Sequence, residues 1–184
     1  MIAYTQSILL PDLKGILSLQ KNNLASGLSV DEIQSQGFVT VNHTYELLKD
    51  LNDREKHIIA KDDDNVIGYV LAMTKQSRFD IPVLIPMFEA FDKMKYNNKA
   101  VTDHNFIIVG QVCIDKQYRG QGVFDKCYEK YREYYRDKYD FAITEIAASN
   151  TRSLQAHKRI GFREIDSYVA PDKTEWVVVV WEWR

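Results

Sequence analysis

Residues 106–135, FIIVGQVCIDKQYRGQGVFDKCYEKYREYY, change their hydrophobic period once, and glycines mark the change. The stretch from Phe106 to Ile114 is a nearly continuous apolar run of strand length. From Phe124 onward, Cys127, Tyr128, Tyr131, Tyr134 and Tyr135 recur at three- and four-residue steps, the stripe of a helix lying on a sheet. Between them Gly120 and Gly122 lack a Cβ, so the backbone can turn sharply there. A strand that runs through a tight turn straight into an amphipathic helix commits the chain to an α/β fold in which that helix packs back on its sheet.

The flanking sequence supplies further strands and helices. FAITEIAASN reads as a strand and TRSLQAHKRIGF as a short helix, with Gly161 where a left-handed C-terminal cap is wanted. Two closing strands are predicted near 162–170 and 174–184. Toward the N-terminus the spacing predicts a helix over 10–21, with Pro11 in its first turn, and another beginning near Val30. A third follows Thr44, which is a plausible N-cap ahead of Leu47, Leu48 and Leu51. HIIA (57–60) and VIGYVLAMT (66–74) flank the turn-forming cluster KDDDN and predict a hairpin. Residues 75–104 are an apolar insertion in which Pro86 can start a short helix; it is either a lid over a site or additional core. There is no internal repeat, and 184 residues suit a single domain spanning 1–184.

Charge excludes several functions. Lys and Arg total 24 against 26 Asp and Glu, a net charge of −2, with no basic block; a nucleic-acid binder needs concentrated positive charge. No stretch approaches the apolar length of a membrane span and no basic segment leads into an apolar run at the start, so a cytoplasmic protein is expected. Cys113 and Cys127 form no CxxC pair and are expected as free buried thiols. No metal site is expected.

The glycine turn carries the chemistry. Backbone N–H groups around Gly120 and Gly122 converge with the positive end of the following helix dipole and form an anion cradle. It is neither a P-loop nor a GxGxxG dinucleotide fingerprint. Read together, I-D-K-Q-Y-R-G-Q-G-V-F and the later E-I-A-A-S-N-T-R-S-L-Q-A-H-K-R-I-G-F resemble the two motif segments of the GNAT superfamily of acyl-CoA-dependent N-acetyltransferases. The second is similar to that of the ribosomal-protein N-terminal acetyltransferases. The resemblance is strong over 106–165 and looser over the hairpin at 57–74.

That resemblance implies an α/β GNAT fold: one mixed, mostly antiparallel sheet with a splayed central strand pair and helices on both faces. It implies that Val109–Ile114 diverges from Ala142–Ala147, and that the pantetheine arm of acetyl-CoA, the co-substrate, lies in the gap against the main chain of Val112 and Ile114. The pyrophosphate cradle maps to Arg119, Gly120, Gln121, Gly122, Val123 and Phe124, where Phe124 replaces the usual Gly or Ala; a register on Gln117, Gly120 and Gly122 is the alternative. Asn150, as arm ligand or N-cap or both, and Ser153 complete the cofactor set, and Lys158 or Arg159 is a candidate for the 3′-phosphate.

For the chemistry, the resemblance assigns Glu145 as general base, against an alternative in which it pairs with Arg163. A carboxyl titrating near its usual value of about 4.3 would need a raised pKa or a relaying water for this task. The main-chain N–H of Ile114 or Cys113 is the expected oxyanion donor, and His157 stands where the family usually has its tyrosine acid. The implied activity is direct acetyl transfer to a primary amine of a small molecule or a peptide N-terminus. The alternative is a non-catalytic acyl-CoA-binding or protein-interaction module. The insertion suggests an apolar or aromatic acceptor pocket. The closing EWVVVVWEWR strand, if it were an exposed edge, would invite homodimer formation.

Overall fold

The computed structural model describes residues 1–24 and 39–183. In chain order the elements are β1 (Ile2–Gln6), α1 (Leu10–Lys21), α2 (Tyr45–Arg54), β2 (Ile58–Asp62), β3 (Asn65–Met73), α3 (Ile85–Lys93), β4 (Lys95–Tyr96), β5 (Lys99–Ala100), β6 (Phe106–Ile114), α4 (Val123–Tyr135), β7 (Phe141–Ala147), α5 (Thr151–Ile160), β8 (Arg163–Val169) and β9 (Glu175–Glu182). Seven strands form one sheet in the order β1-β2-β3-β6-β7-β9-β8, and β4 and β5 make a separate small hairpin. Every neighbouring pair in the large sheet is antiparallel except β6 and β7. No helix among the described residues is long and apolar enough to cross a membrane.

Local signals explain most boundaries. Thr44 Oγ1 accepts from the Leu47 N–H and starts α2, and Pro86 lies in the first turn of α3. The β2–β3 strands extend into the KDDDN cluster, leaving a two-residue turn in which Asp63 has φ of 50°, a conformation aspartate tolerates better than most residues. Gly161 closes α5 at φ of 112°, as its position after the amphipathic run predicts. The helix expected near Val30 lies outside the described residues.

Strand alternation sorts the core into two faces. On one, Tyr69, Leu71 and Cys113 meet Leu13, Ile16 and Leu48 from α1 and α2, and Met73, Ile108, Phe141, Ile143, Val178 and Val180 meet Met87, Phe88 and Phe91 from α3. On the other, Val70, Ala72, Ile107 and Val109 meet Cys127, Tyr128, Tyr131 and Tyr135 of α4. The aromatic stripe is therefore core, apart from Tyr134, which sits off the buried line and is exposed. Two of the stripe's buried phenols are satisfied by main-chain carbonyls, Tyr131 donating to Ile108 at 3.1 Å and Tyr135 to Lys56, which offsets the cost of burying a hydroxyl. Cys113 and Cys127 are buried free thiols, and burial pushes both up to about 12.

The structure decides the place of two segments. The insertion contributes additional core: Ile81, Met87, Phe88, Phe91 and Met94 fill the face of the sheet at the Phe106 and Phe141 end while Phe79 and Val83 stay exposed, and none of residues 75–104 lines either of the two clefts described below. The closing strand β9 is not an edge. It is paired to β7 on one side and β8 on the other, so it has no free ladder through which a homodimer could form; the edges are β1 and β8.

Candidate active site

The parallel pairing of β6 with β7 covers only Phe106–Ile108 against Phe141–Ile143. Beyond it β6 stays bonded to β3 as far as Ile114, and β7 to β9 as far as Ala147. The two strands therefore fork. Thr144 Oγ1 donates to the Val109 carbonyl at 2.8 Å and closes the apex. In β6 Gly110 is the extra residue of a bulge, since Leu71 faces Gln111 while Ala72 faces Val109; a Cβ at Gly110 would come within 2.5 Å of Met73 Sδ.

Ladder parity decides which main-chain groups face the gap. The Asp115 N–H donates to the Ile67 carbonyl at 2.8 Å, and in an antiparallel ladder the bonded pairs then alternate, so Cys113 and Gln111 turn their N–H and C=O toward β3. Val112 and Ile114 turn theirs into the gap, as the resemblance implies. One of these groups is already used: Arg119 Nε donates to the Ile114 carbonyl at 3.0 Å. Arg119 also donates to Asn23 Oδ1 at 2.8 Å, so its side chain ties the start of the cradle to the end of α1.

A cleft of about 740 Å³ runs along this gap, lined by Val112, Ile114, Arg119, Gly120, Gly122, Val123, Phe124, Asn150 and Ser153 among others. Gly120 and Gly122 have φ of 76° and 79°, and a Cβ on either would meet nothing within 4 Å. Their need for glycine is thus conformational, and the space above them is open. In α4 the first N–H to bond back into the helix is that of Lys126, to the Gly122 carbonyl, so the N–H groups of Val123 and Phe124 belong to the first turn, which a helix leaves unpaired. Phe124 does not fill the cradle: its ring packs against Tyr128 and His157 at centroid distances of 4.9 and 5.3 Å. Gln121 turns its side chain back to the Gln117 carbonyl at 2.7 Å, and Gln117 itself sits in the preceding 3-10 turn.

Asn150 caps α5, its side chain accepting from the Ser153 N–H at 3.2 Å, and still borders the cleft. Arg159 and Arg152 also line it, whereas Lys158 does not; Arg159 forms an ion pair with Asp125, another lining residue. Open space over the glycines, unpaired helix N–H groups, arginines and a gap-facing strand edge together fit an extended, phosphate-bearing ligand.

Beside the fork apex lies a smaller cavity of about 80 Å³, lined by Val39, Thr40, Gly110, Gln111, Val112, Thr144, Glu145, His157 and Trp176 among others. Glu145 sits on the α1–α3 face of β7. Its partner is Tyr168, whose hydroxyl donates to Oε2 at 2.5 Å, rather than Arg163. Burial pushes the Glu145 carboxyl up to about 7, against the opposing pull of the Tyr168 bond. Tyr168 and Trp176 were not singled out in the sequence. Their strand alternation puts them on the same face as Glu145, but their pairing across β9 follows from a register that no local signal specifies.

His157 borders the same cavity, but its ring is committed within the fold. Nδ1 lies 2.8 Å from the Ser153 carbonyl, which can only accept, so Nδ1 carries the proton. Nε2 lies 2.6 Å from the Tyr128 hydroxyl and accepts from it. Burial lowers this imidazole to about 4. A neutral ring whose single N–H points at a carbonyl has no proton to deliver at neutral pH, so the acid role expected at this position does not fit the arrangement.

The model of the Acetyltransferase (GNAT) family matches residues 28–162. Solved structures with the same fold include the ribosomal-protein-S18-alanine N-acetyltransferase from Escherichia coli (TM-score 0.64, 10% identity, covering 99% of this chain and 94% of that one). A GNAT-family acetyltransferase from Streptococcus agalactiae gives a TM-score of 0.68 at 11% identity, covering 100% and 96%. Arabidopsis thaliana NAA60 in complex with acetyl-CoA gives 0.67 at 13%, covering 100% of both chains. No curated protein matches the sequence.

Proposed function

The chain belongs to the acetyltransferase (GNAT) family, and from that premise we propose that it moves the acetyl group of acetyl-CoA directly to a primary amine of a small molecule or a peptide N-terminus. The observation that carries this reading is the sheltered Glu145 carboxyl, at about 7, facing the apex of a forked strand pair whose open edge continues into an anion cradle. When bound, acetyl-CoA supplies an activated thioester.

The residues divide the work as follows. The N–H groups of Gly120 to Phe124 and the guanidinium of Arg159 hold phosphate groups. The carbonyl of Val112, with the N–H of Ile114, holds the pantetheine amides; the Ile114 carbonyl is left to Arg119. Glu145, ionised above about pH 7, takes a proton from the acceptor amine, directly or through one water, as the C–N bond forms and the C–S bond breaks. The N–H of Val112 faces the gap and borders both the cleft and the Glu145 cavity, so it is the donor for the charge developing on the carbonyl oxygen. Of the two donors expected from the sequence, Cys113 uses its N–H in the ladder and Ile114 does not border the Glu145 cavity. His157 and Tyr128 brace α5 against α4, and the departing thiolate takes its proton from solvent in the open cleft.

The test pairs binding with turnover. Acetyl-CoA at about 100 times its Kd adds about 2.7 kcal/mol of stability, which raises Tm by roughly 5 to 10 °C, while ATP and NAD leave it unchanged. Release of free thiol is then followed against a panel of aminoacyl amides and simple amines. No Tm shift with acetyl-CoA, or a shift with no acceptor-dependent thiol release, overturns the proposed activity.

A further inference from the structure

Part of the wall of the small cavity that Glu145 lines comes from an irregular segment. Val39 and Thr40 line that cavity, and residues 40–44 belong to no helix or strand. Their main-chain groups have no regular ladder to hold them, and the Val41 carbonyl and the His43 N–H are bonded to side chains instead. The Val39 N–H donates to the Asn23 carbonyl at 3.1 Å. One residue past Thr40, the Val41 carbonyl accepts from Gln111 Nε2 at 2.9 Å. Two residues further, the His43 N–H donates to Gln20 Oε1 at 2.9 Å and His43 Nδ1 takes a bond from Gln20 Nε2 at 2.8 Å.

Gln111 joins these contacts to the forked strand. The bulge at Gly110 ends just before it, and its side chain turns to the α1–α2 face. There Oε1 accepts from Gln20 Nε2 at 2.7 Å and from the Tyr69 hydroxyl at 2.6 Å. Gln20, His43, Tyr69 and Gln111 are all buried. A hydrophobic side chain of the same volume would fill this space without the desolvation that four buried polar groups incur. What the polar arrangement adds is geometry: it fastens the 39–43 segment to the residue adjoining Val112.

We infer that Gln111 is a positioning residue that holds the Thr40 wall of the cavity that Glu145 lines, and so sets how the acceptor amine is received; this rests on the acetyl-transfer reading above. It touches neither reacting atom. Its effect passes through Val41 to Thr40 on one side and through the strand to Val112 on the other.

The experiment compares Gln111→Met with Tyr69→Phe. Both remove buried hydrogen bonds from the same network, but Tyr69→Phe leaves the Gln111 bond to Val41 in place and so controls for loss of stability. Amide hydrogen exchange is measured over 39–43, and KM for acetyl-CoA and for each acceptor of the aminoacyl-amide panel is determined. The expected result is faster exchange over 39–43 in Gln111→Met alone, with acceptor KM raised about tenfold or more and acetyl-CoA KM unmoved. Unchanged exchange in Gln111→Met overturns the clamp, and an equal rise in both KM values, or the same effects in Tyr69→Phe, overturns the positioning role. If the wild-type protein uses no acceptor of the panel, the acetyl-transfer reading fails while the exchange data still decide whether the clamp exists.

Discussion

The Tyr168 hydroxyl reaches diagonally over β9 to donate to Glu145 Oε2 at 2.5 Å. Val178 of β9 is opposite Glu145 on one side and Asp166 on the other, and Tyr168 stands two residues beyond Asp166 on the same face. The bond favours the ionised carboxylate and opposes burial, which favours the neutral acid; the outcome is a carboxyl at about 7.

A base of this kind sets the acid limb of the rate profile. Activity should fall as pH drops through about 7, because Glu145 then binds the proton it must accept. Removing the Tyr168 donor by Tyr168→Phe takes away the effect that lowers Glu145, so the limb should move to higher pH. Glu145→Gln should reduce kcat by about 10² to 10⁴-fold with acetyl-CoA affinity retained. A kcat/KM profile from pH 5.5 to 9 on the three proteins checks all of this, and a limb that stays put in Tyr168→Phe removes the pair from the mechanism.

His157 makes a contrasting prediction. With the ring held neutral by burial down to about 4, no alkaline limb near pH 7 should belong to it. His157→Leu leaves the Tyr128 hydroxyl without its acceptor and should cost about 1 to 3 kcal/mol of stability. Neither limb of the rate profile should shift. A displaced alkaline limb in that variant would restore His157 as the acid.

Three buried histidines, His43 at about 4, His57 at about 3 and His157 at about 4, resist protonation in the fold. The unfolded chain protonates each near 6.5, so it binds more protons below that pH and stability falls as pH drops from about 6.5 toward 4. Glu145 acts in the opposite sense between about 7 and its unfolded value of 4.5, because there the folded state binds the proton. Three groups against one give a net loss of about 2 to 3 kcal/mol per pH unit between about pH 6 and 4.5. Urea unfolding at half-unit steps measures the slope, and Glu145→Gln should steepen it.

Two glycines are held for different reasons and should respond differently. Gly161→Ala forces φ of 112° on an alanine and brings its Cβ to 2.9 Å from Trp181 Nε1, so a loss of about 1 to 3 kcal/mol is expected, with acetyl-CoA binding intact. Gly110→Ala drives a Cβ into Met73 at the bulge and should cost a similar amount. Because the bulge precedes the gap-facing Val112, this variant alone should also weaken acetyl-CoA binding. Thermal unfolding with and without acetyl-CoA separates the two.

Most of what lies between Phe106 and Phe162 was legible in the sequence. There the change of hydrophobic period, the two cradle glycines, the Asn150 cap and the Gly161 cap are local signals, each acting within one turn of chain. Other features have no local signal. The five-residue β1 was not foreseen, because a short edge strand with little alternation needs only β2 as its partner. The insertion at 75–104 looked the same as lid or as core, since its apolar content does not say which surface it covers.

Local sequence is sufficient for periods, caps and turns, because backbone sterics and side-chain spacing act over a few residues; from these the α/β fold and the glycine turn could be read, while the candidacy of Glu145 came from the motif resemblance. Contacts between distant segments are a different matter. The burial of β9 between two strands, the turning of Arg119 toward Asn23, the Gln111 clamp and the Tyr168 partner of Glu145 depend on register and on which faces meet. The proton affinity of Glu145 and the commitment of the His157 ring to Ser153 and Tyr128 depend on them too, since burial and partner choice exist only once segments many residues apart have packed together.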